Sequence, residues 1–361
     1  MSAAEFDDHR DEVGPEPDAA AQDEPSFTGS APTDGPPMPD VAGLLVETLQ
    51  SAGALLDNLR QISPDDLRGW LDDPIAGLVR LAERFGVDWQ DGPEATIEFA
   101  RNRWLGEYAV DEFGFDPEYA ERVFLPMMRP IVRQWFRVEA TGIENLPDGP
   151  ALLVSNHAGA LPWDSLVLQT LVHDEADRWV RPLAADLAFR TPFIAEFARR
   201  TGSTYACQED ALRLLSEGHL VAAFPEGFKG LGKLYAERYR LQRFGRGGFV
   251  STALKAGVPI VPVSIVGSEE IYPMLSQVPA IARVFDLPYF PVTPTFPWLG
   301  VLGAVPLPSK WSIKFGEPIY TEVLQGFEDD PATVLRLTDQ VRHTIQRTLH
   351  DLLEERRSVF W

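Results

Sequence analysis

Short, largely apolar runs in the second half of the chain are separated by longer stretches of mixed polarity. The four runs are residues 151–154, 220–224, 260–266 and 311–315. Apolar runs of this length are typical of strands that are buried on both faces. Helices between such strands bring them side by side in the same direction. We therefore predict an α/β fold over residues 136–361, with a mostly parallel sheet flanked by helices.

A helical pattern precedes this region. From Val41 onward, leucine and valine recur at steps of three and four residues, which is the spacing of one helix face. Two pairs, Ser63-Pro64 and Asp330-Pro331, supply an N-cap followed by proline at the first helical position. The sequence thus predicts a mainly helical region over residues 39–135, and a C-terminal helix that ends at about Arg357.

The N-terminus has a distinct composition. Residues 1–40 contain eleven acidic residues, one arginine and seven prolines, which gives this segment a net charge of -10. Without apolar periodicity such a segment cannot offset its ordering entropy, so we predict a disordered, acidic, Pro-rich tail over residues 1–38. The whole chain carries -22. This charge excludes a generally basic nucleic-acid binder, and we expect no nucleic-acid partner.

Cysteine usage and hydropathy bear on location. Cys207 is the one cysteine, so no intrachain disulfide can form, and the first residues lack the basic start and apolar core of a secretory signal. Residues 287–309 carry no charge and are long enough to cross a bilayer, but they contain six prolines. A single membrane-spanning helix cannot accommodate them. The aromatic residues of this segment suit either a buried loop or the membrane interface.

Candidate chemistry begins at the end of the run 151–154. His157 follows that run, and Asp164 lies seven residues later. An imidazole can act as a general base near neutral pH, and a carboxylate can hold its tautomer and stabilise the imidazolium. No hydrolase nucleophile accompanies them, so a substrate hydroxyl is the expected nucleophile. The alternative is a strand-end histidine that is bonded to backbone.

The second motif, Phe224-Pro225-Glu226-Gly227, follows the run 220–224. Glu226 could accept a hydrogen bond from a substrate hydroxyl. Alternatively, Pro225 and Gly227 set a turn in which the Glu226 carboxylate caps neighbouring amides.

Together these motifs resemble the signature of the glycerol/phospholipid acyltransferase family: Asn-His, a spacer, Asp, and then Phe-Pro-Glu-Gly. The usual spacer has four residues, whereas Asn156-His157 and Asp164 are separated by six, which looks more like the branch of mono- and diacylglycerol acyltransferase-like proteins. The resemblance extends over residues 138–320. It implies an acyltransferase-like fold, His157 and Asp164 as catalytic residues, and a substrate-binding role for Asn156 and for Phe224, Pro225, Glu226 and Gly227.

A basic stretch follows the second motif. Residues 228–246 contain six cations and a single acid, Glu237, which is notable in so acidic a protein. Such a stretch suits a phosphate-bearing partner, and we take Lys229 and Arg246 as its substrate-binding members because they lie nearest the glycines. The alternative is a solvated loop. Gly227, Gly232 and Lys233 mimic a phosphate-binding loop, but Leu234 follows where that loop needs Ser or Thr.

We therefore expect an O-acyltransferase that transfers a fatty acyl group from acyl-CoA or an acyl carrier protein to a hydroxyl of a glycerolipid or lysophospholipid. The reaction would need no metal and no cofactor besides acyl-CoA as co-substrate. The protein would be cytoplasmic and peripheral at the inner face of the membrane. Many lysophosphatidate-type members carry an arginine six residues after a glycine, where Gly202 here leads to Gln208. This difference favours an acceptor without an obligatory phosphate.

Two other functions stay open. One is a catalytically silent lipid-binding protein that keeps the fold, which a wide separation of His157 and Asp164 would favour. The other is a thioesterase or ping-pong transferase that uses Cys207 as its nucleophile.

Overall fold

A seven-stranded sheet forms the centre of the residues that this computed structural model describes, 92–190 and 192–360. Including a separate two-stranded sheet, the strands of this part of the chain are β1 Glu139–Thr141, β2 Ala151–Ser155, β3 Val180–Ala184, β4 Thr204–Tyr205, β5 Leu220–Ala223, β6 Ile260–Val266, β7 Ser276–Gln277, β8 Pro291–Val292 and β9 Ser312–Phe315. The tail and the helices predicted within residues 1–91, including the one at Ser63-Pro64, lie outside the described residues.

The order of the large sheet is β1-β9-β6-β2-β5-β3-β4. Neighbouring strands run parallel except for β6 and β9, which are antiparallel. The predicted mostly parallel α/β sheet is confirmed. Strands β6, β2 and β5 are adjacent and parallel, so their carboxyl ends meet at one edge of the sheet, where loops of α/β proteins commonly form sites.

Helices precede the sheet and cover it. In chain order they are α1 Gly92–Leu105, α2 at residues 117–135, α3 Trp163–Ala176, α4 Asp186–Arg190, α5 Pro192–Arg200, α6 Gln208–Ser216, α7 Phe228–Leu231, α8 Gly248–Ala256, α9 Pro279–Val284 and α10 Pro331–Glu355. Within α2, two π-helical segments, Ala120–Phe124 and Ile131–Trp135, alternate with α-helical turns. No helix of the described part of the chain is long and apolar enough to span a membrane.

The sheet packs on both faces, as its unbroken apolar strands predict. In β2, Ala151 and Leu153 point into one core, which α2 and α3 cover, while Leu152 and Val154 point into the other, covered by α6, α8 and α10. The long helix α10 begins at Pro331, where the Asp330 side chain accepts a hydrogen bond from the N–H of Thr333. Its buried residues recur at steps of three and four, which places an apolar stripe against the sheet.

Strand β3 differs from the apolar pattern of the other central strands. It has the sequence Val-Arg-Pro-Leu-Ala and was not predicted, because its second residue is an arginine. Arg181 is nevertheless fully buried. Its guanidinium donates to Asp111 at 2.7 Å and to the carbonyl of Gly202 at 2.9 Å, and these partners make the burial tolerable.

Helices at 92–105 and 117–135 occupy much of the described part of the predicted helical region. The proposed domain boundaries stay predictions.

Candidate active site

Three adjacent strand ends build the candidate site. His157 follows the end of β2, Glu226 follows β5, and Glu269 follows β6. Because these three strands are parallel neighbours, the segments that carry the three residues emerge at the same edge of the sheet. Both sequence motifs are therefore brought together by the topology.

His157 and Asp164 lie in direct contact. The Nδ1 atom of His157 is 2.7 Å from Oδ2 of Asp164, and both side chains are almost wholly buried. An ionised carboxylate can only accept, so the contact favours the tautomer with its proton on Nδ1. That tautomer leaves Nε2 as the basic nitrogen of the ring. The six-residue spacer is thus compatible with a close pair, while the catalytic role of the pair stays a prediction.

Backbone amides fix the Asp164 carboxylate. Its Oδ2 accepts from the N–H of Ala158 at 3.0 Å, and its Oδ1 accepts from the N–H of Ser165 at 2.8 Å. Asp164 also lies in the first turn of α3, where the exposed amides of a helix N-terminus stabilise negative charge. The carboxylate that orients His157 is therefore itself held from three sides.

The loop between the pair takes an unusual backbone path. Gly159 has φ +92, and a Cβ built there would lie 2.6 Å from the carbonyl oxygen of Ser268. Ala160 also has a positive φ, 59. The hydroxyl of Tyr289 donates to the Ala160 carbonyl, so the uncharged segment 287–309 packs against this loop. The two additional spacer residues are accommodated in this way.

Asn156 does not face open space. Its side-chain amide donates to the carbonyl of Ile265 at 2.9 Å and accepts from the N–H of Ile265 at 2.8 Å, and the residue is fully buried. The amide therefore ties the end of β2 to β6. The hydrogen-bonding groups of the side chain are taken by the neighbouring strand, and a substrate contact of Asn156 stays a prediction.

Glu226 is similarly occupied. Its Oε1 accepts from the N–H of His157 at 3.0 Å, and its Oε2 accepts from the N–H of Gln242 at 2.6 Å, with the residue 3% exposed. This arrangement corresponds to the capping alternative rather than to a carboxylate that is open to a substrate hydroxyl. Glu226 joins the two segments that carry His157 and Gln242.

The other residues of the second motif shape the surroundings of the imidazole. The ring of Phe224 lies against that of His157, with centroids 4.6 Å apart and planes at 35°. Gly227 adopts φ +54 and precedes α7. The close packing of α7 is possible because Gly230 has no side chain: a Cβ there would lie 2.4 Å from the His157 carbonyl oxygen.

A cavity of about 510 Å³ adjoins this motif. Phe224 and Pro225 line it, together with apolar residues from the sheet and polar residues at the start of α8. Its other lining residues include Leu152, Leu183, Cys207, Gln208, Phe244, Arg246, Phe249, Thr252 and Lys255. The wall is thus apolar near the ring that packs on His157 and polar near Arg246.

The basic stretch divides into two groups. Lys229 and Arg246, the predicted phosphate contacts, are both exposed, and Arg246 lines the cavity. Lys233 is instead buried, with Nζ 3.1 Å from Oε1 of Glu269 and 3.5 Å from Oε2 of Glu226. Sequence patterns assigned no role to Glu269, although the acidic pair Glu269-Glu270 lies three residues after the end of the wholly buried strand β6.

Cys207 also lines the cavity, as the residue before α6. Burial raises the pKa of its thiol, which lowers the fraction of the reactive thiolate at neutral pH. Among the described residues, no group of three or more His, Cys, Asp or Glu side chains is arranged to hold a metal ion.

Known proteins share this sequence pattern. The acyltransferase family profile matches residues 137–266, which include His157, Asp164 and Glu226. An uncharacterized protein of Mycobacterium tuberculosis is 58% identical over 271 residues, which cover 74% of this chain and 76% of that protein. A protein of Gallus gallus described as a DGAT1/2-independent enzyme synthesizing storage lipids is 29% identical over 188 residues, covering 52% of this chain and 53% of its own length.

Among solved structures, the 1-acyl-sn-glycerophosphate (LPA) acyltransferase PlsC from Thermotoga maritima overlaps 67% of this chain and 85% of its own chain. The identity is 20% and the TM-score is 0.44. The family profile spans both motifs of the candidate site, and the mycobacterial relative extends the similarity over most of the chain. The chain belongs to the acyltransferase family.

Proposed function

We propose that this protein transfers a fatty acyl group from acyl-CoA or an acyl carrier protein to a hydroxyl of a glycerolipid or lysophospholipid. The observation that carries the proposal is the contact of 2.7 Å between His157 and Asp164, which leaves the Nε2 atom of the imidazole as a base. No side chain of the protein has to become acylated. The acceptor hydroxyl itself is the nucleophile.

The acyl group moves directly from the thioester sulfur to the acceptor oxygen. His157 Nε2 takes the proton of the acceptor hydroxyl as its oxygen attacks the thioester carbonyl, so that a C–O bond forms. The C–S bond then breaks, and the imidazolium returns its proton to the departing thiolate. Asp164 keeps the ring oriented and stabilises the imidazolium that exists between these two proton transfers. This base catalysis contributes roughly 10²- to 10⁴-fold in rate.

The cavity beside Phe224 supports a place for the acyl donor. Its apolar wall suits an acyl or pantetheine chain, while Arg246 at its polar side suits a phosphate group. Lys229, on the exposed side of α7, is a second candidate phosphate contact. We propose that these two cations bind donor phosphates, because a negatively charged protein otherwise repels a polyanionic donor.

We propose peripheral binding at the inner face of the membrane, and exposed apolar residues support the membrane contact itself. Nine large apolar side chains between residues 275 and 305 are exposed, among them Trp298 at 73% and Leu302 at 68%. Tyr289, in the same segment, is bonded to the loop between His157 and Asp164. A lipid surface that receives Trp298 would therefore place lipid hydroxyls near the proposed base.

The surroundings of Gln208 support a proposal for the acceptor class. This residue lines the cavity where many lysophosphatidate-type members of the family have arginine, and its side chain lies 3.5 Å from the hydroxyl of Thr252. Of the two upstream arginines, Arg200 is paired with Glu196 at 2.6 Å. A mono- or diacylglycerol, or another lipid alcohol without an obligatory phosphate, is the acceptor that this arrangement favours.

The two rival functions have less support. A silent lipid-binding protein has no need for a buried His157–Asp164 contact, and the raised pKa of Cys207 makes its thiol a poor nucleophile. Cys207→Ser should retain most transfer activity. An acyl group that is trapped on Cys207 and found by mass spectrometry would favour the ping-pong alternative.

The proposal is tested by incubating the full chain with radiolabelled acyl-CoA or acyl carrier protein and a panel of lipid acceptors. The panel holds monoacylglycerol, diacylglycerol, lysophosphatidate and a long-chain alcohol. We expect a new ester that depends on the acceptor. Hydrolysis of the donor without any ester product, at every acceptor, would contradict O-acyl transfer.

A further inference from the structure

Lys233 is a buried lysine that the proposed reaction does not use. Its side chain is 2% exposed, and its ammonium group lies between the carboxylates of Glu226 and Glu269. An ammonium group is strongly hydrated in water, so its burial is tolerated only where negative partners and hydrogen bonds replace that hydration. The two carboxylates supply this replacement, which makes the three residues one buried ionic cluster.

Glu226 connects the cluster to the proposed base. Its two oxygens hold the N–H of His157 and the N–H of Gln242, as described above. The Oε2 atom that accepts from Gln242 is also the one nearest Lys233. A continuous chain of contacts therefore runs from Glu269 through Lys233 and Glu226 to the backbone of His157.

Both oxygens of the Glu226 carboxylate act as acceptors. Each accepts from a backbone N–H, which suits a negatively charged group. Within the described residues, Lys233 is the one cation within 4.0 Å of Glu226 or Glu269. Removing its charge would leave two buried carboxylates without a cation, and this would disfavour the arrangement in which Glu226 holds His157.

Other charged groups close to the cluster are already engaged. Glu269 also accepts from the N–H of Tyr239 at 2.9 Å, and Glu270 is paired with Arg356 at 2.8 Å. The titratable groups packed around the cluster are Glu226, Lys233, Tyr235, Tyr239, Glu269, Glu270 and Arg356. Burial raises the pKa of Glu269 to about 7, although Lys233 opposes the shift. Lys233 is therefore shared between two carboxylates, one of which is difficult to ionise.

We propose that Lys233 and Glu269 are positioning residues for His157, with Lys233 balancing the buried charge of Glu226 and Glu269 holding Lys233 in place. This inference rests on the proposed function for its kinetic consequence only. Lys233, which together with Gly232 imitates a phosphate-binding loop in the sequence, thereby has a role inside the site.

The expected effect of each variant follows from the charges. Lys233→Met leaves two buried carboxylates without a cation, so Glu226 should hold the N–H groups of His157 and Gln242 less firmly. Lys233→Arg keeps a cation between the carboxylates, and Glu269→Gln keeps the cation beside Glu226. The loss of kcat should therefore be largest in Lys233→Met. The KM for the donor should stay almost unchanged, because Lys233 does not line the cavity.

Acyl transfer by the full chain is measured for these variants and for Lys310→Met. The control removes a lysine that is paired with Glu139 at 2.7 Å and has no contact with Glu226. We expect kcat to fall about tenfold or more in Lys233→Met, with most of the loss recovered in Lys233→Arg and the KM for the donor almost unchanged. A wild-type kcat for Lys233→Met, or an equal loss in Lys233→Met and Lys233→Arg, would overturn the inference.

A second readout needs no substrate. Amide hydrogen exchange at His157 and Gln242 reports the two bonds to Glu226 directly. We expect at least tenfold faster exchange of both amides in Lys233→Met at pH 6, and no change in Lys310→Met. If Lys233→Met does not fold, Glu269→Gln is measured instead, and at least threefold faster exchange is expected at both sites. Unchanged exchange would overturn the positioning role, whereas inactive wild-type protein would count against the proposed function alone.

Discussion

The Nδ1 atom of His157 lies 2.7 Å from the Oδ2 atom of Asp164; His157 is in the loop that joins β2 to α3, and Asp164 is in the first turn of α3. The same Oδ2 atom accepts from the N–H of Ala158 at 3.0 Å. The carboxylate therefore fixes both the ring and the backbone of the loop, and the orientation of the imidazole depends on it.

Asp164→Asn should abolish most of the activity and little of the stability. The Asn amide can still occupy the site, but it can offer its N–H₂ group to Nδ1 and thereby select the opposite tautomer, which puts the proton on Nε2. We expect kcat to fall about 10²-fold or more, with KM almost unchanged. Steady-state kinetics and thermal unfolding of the same preparation check this. A fall of less than about threefold in kcat would contradict the orienting role.

The close packing of the loop between His157 and Asp164 predicts a specific penalty at Gly159. Gly159→Ala and Gly218→Ala both place an alanine at φ +92, so the backbone strain is matched. A Cβ at Gly159 meets the Ser268 carbonyl at 2.6 Å, whereas one at Gly218 meets nothing within 4 Å. Both variants should lose about 1 kcal/mol of stability from strain. Only Gly159→Ala should also lose kcat, by about tenfold, because the loop that joins His157 to the start of α3 must move. Equal kinetic effects would contradict this explanation.

Arg246 and Arg243 form a matched pair for the donor site. Both are exposed arginines of the same basic stretch, but only Arg246 lines the cavity beside Phe224. A charged hydrogen bond to phosphate contributes about 1.5–3 kcal/mol, so Arg246→Ala should raise the KM for acyl-CoA about tenfold or more. Arg243→Ala should leave it unchanged. If the two variants weaken donor binding equally, the stretch acts as a general electrostatic surface and the cavity is not the donor site.

The exposed apolar side chains between residues 275 and 305 predict a membrane contact whose strength depends on the apolar area that leaves water. Trp298→Ala/Leu302→Ala removes two exposed apolar side chains without changing charge, and Val323→Ala, at a residue 86% exposed, is the control. Binding to zwitterionic phosphatidylcholine vesicles should weaken at least about tenfold in the double variant, since each large apolar group contributes about 1.5–3 kcal/mol when it leaves water. Vesicle sedimentation measures this. Wild-type binding by the double variant would contradict the assignment of the membrane-facing segment.

Sequence patterns predicted the sheet wherever burial was expressed as continuous apolar residues. Strands β2 and β6 lie within such runs, and the Asp330-Pro331 pair predicted the start of α10. Strand β3 was missed because Arg181 interrupts its pattern. That arginine is buried through Asp111, which is far from it in the sequence, so its burial depends on tertiary contacts.

The candidate site likewise combines features that the sequence can indicate with features that depend on tertiary contacts. His157 and Asp164 are seven residues apart, so their proximity is a local property that the sequence can indicate. The bond of Asn156 to Ile265, which is 109 residues away, has no such local signal. The cluster of Lys233 with two carboxylates forms because the segments after β5, β6 and α7 meet in the fold. The spacing of these residues in the sequence does not indicate that they meet.

The central claim, that His157 is the base of an acyl transfer to a hydroxyl, is tested most directly by His157→Ala. The measurement is the single-turnover rate of ester formation from labelled acyl-CoA and the best acceptor of the panel, with thermal unfolding as the check on folding. We predict a loss of at least about 10³-fold, a small change in stability and unchanged donor binding. A folded His157→Ala protein that forms the ester at a rate within about tenfold of wild type would contradict the claim.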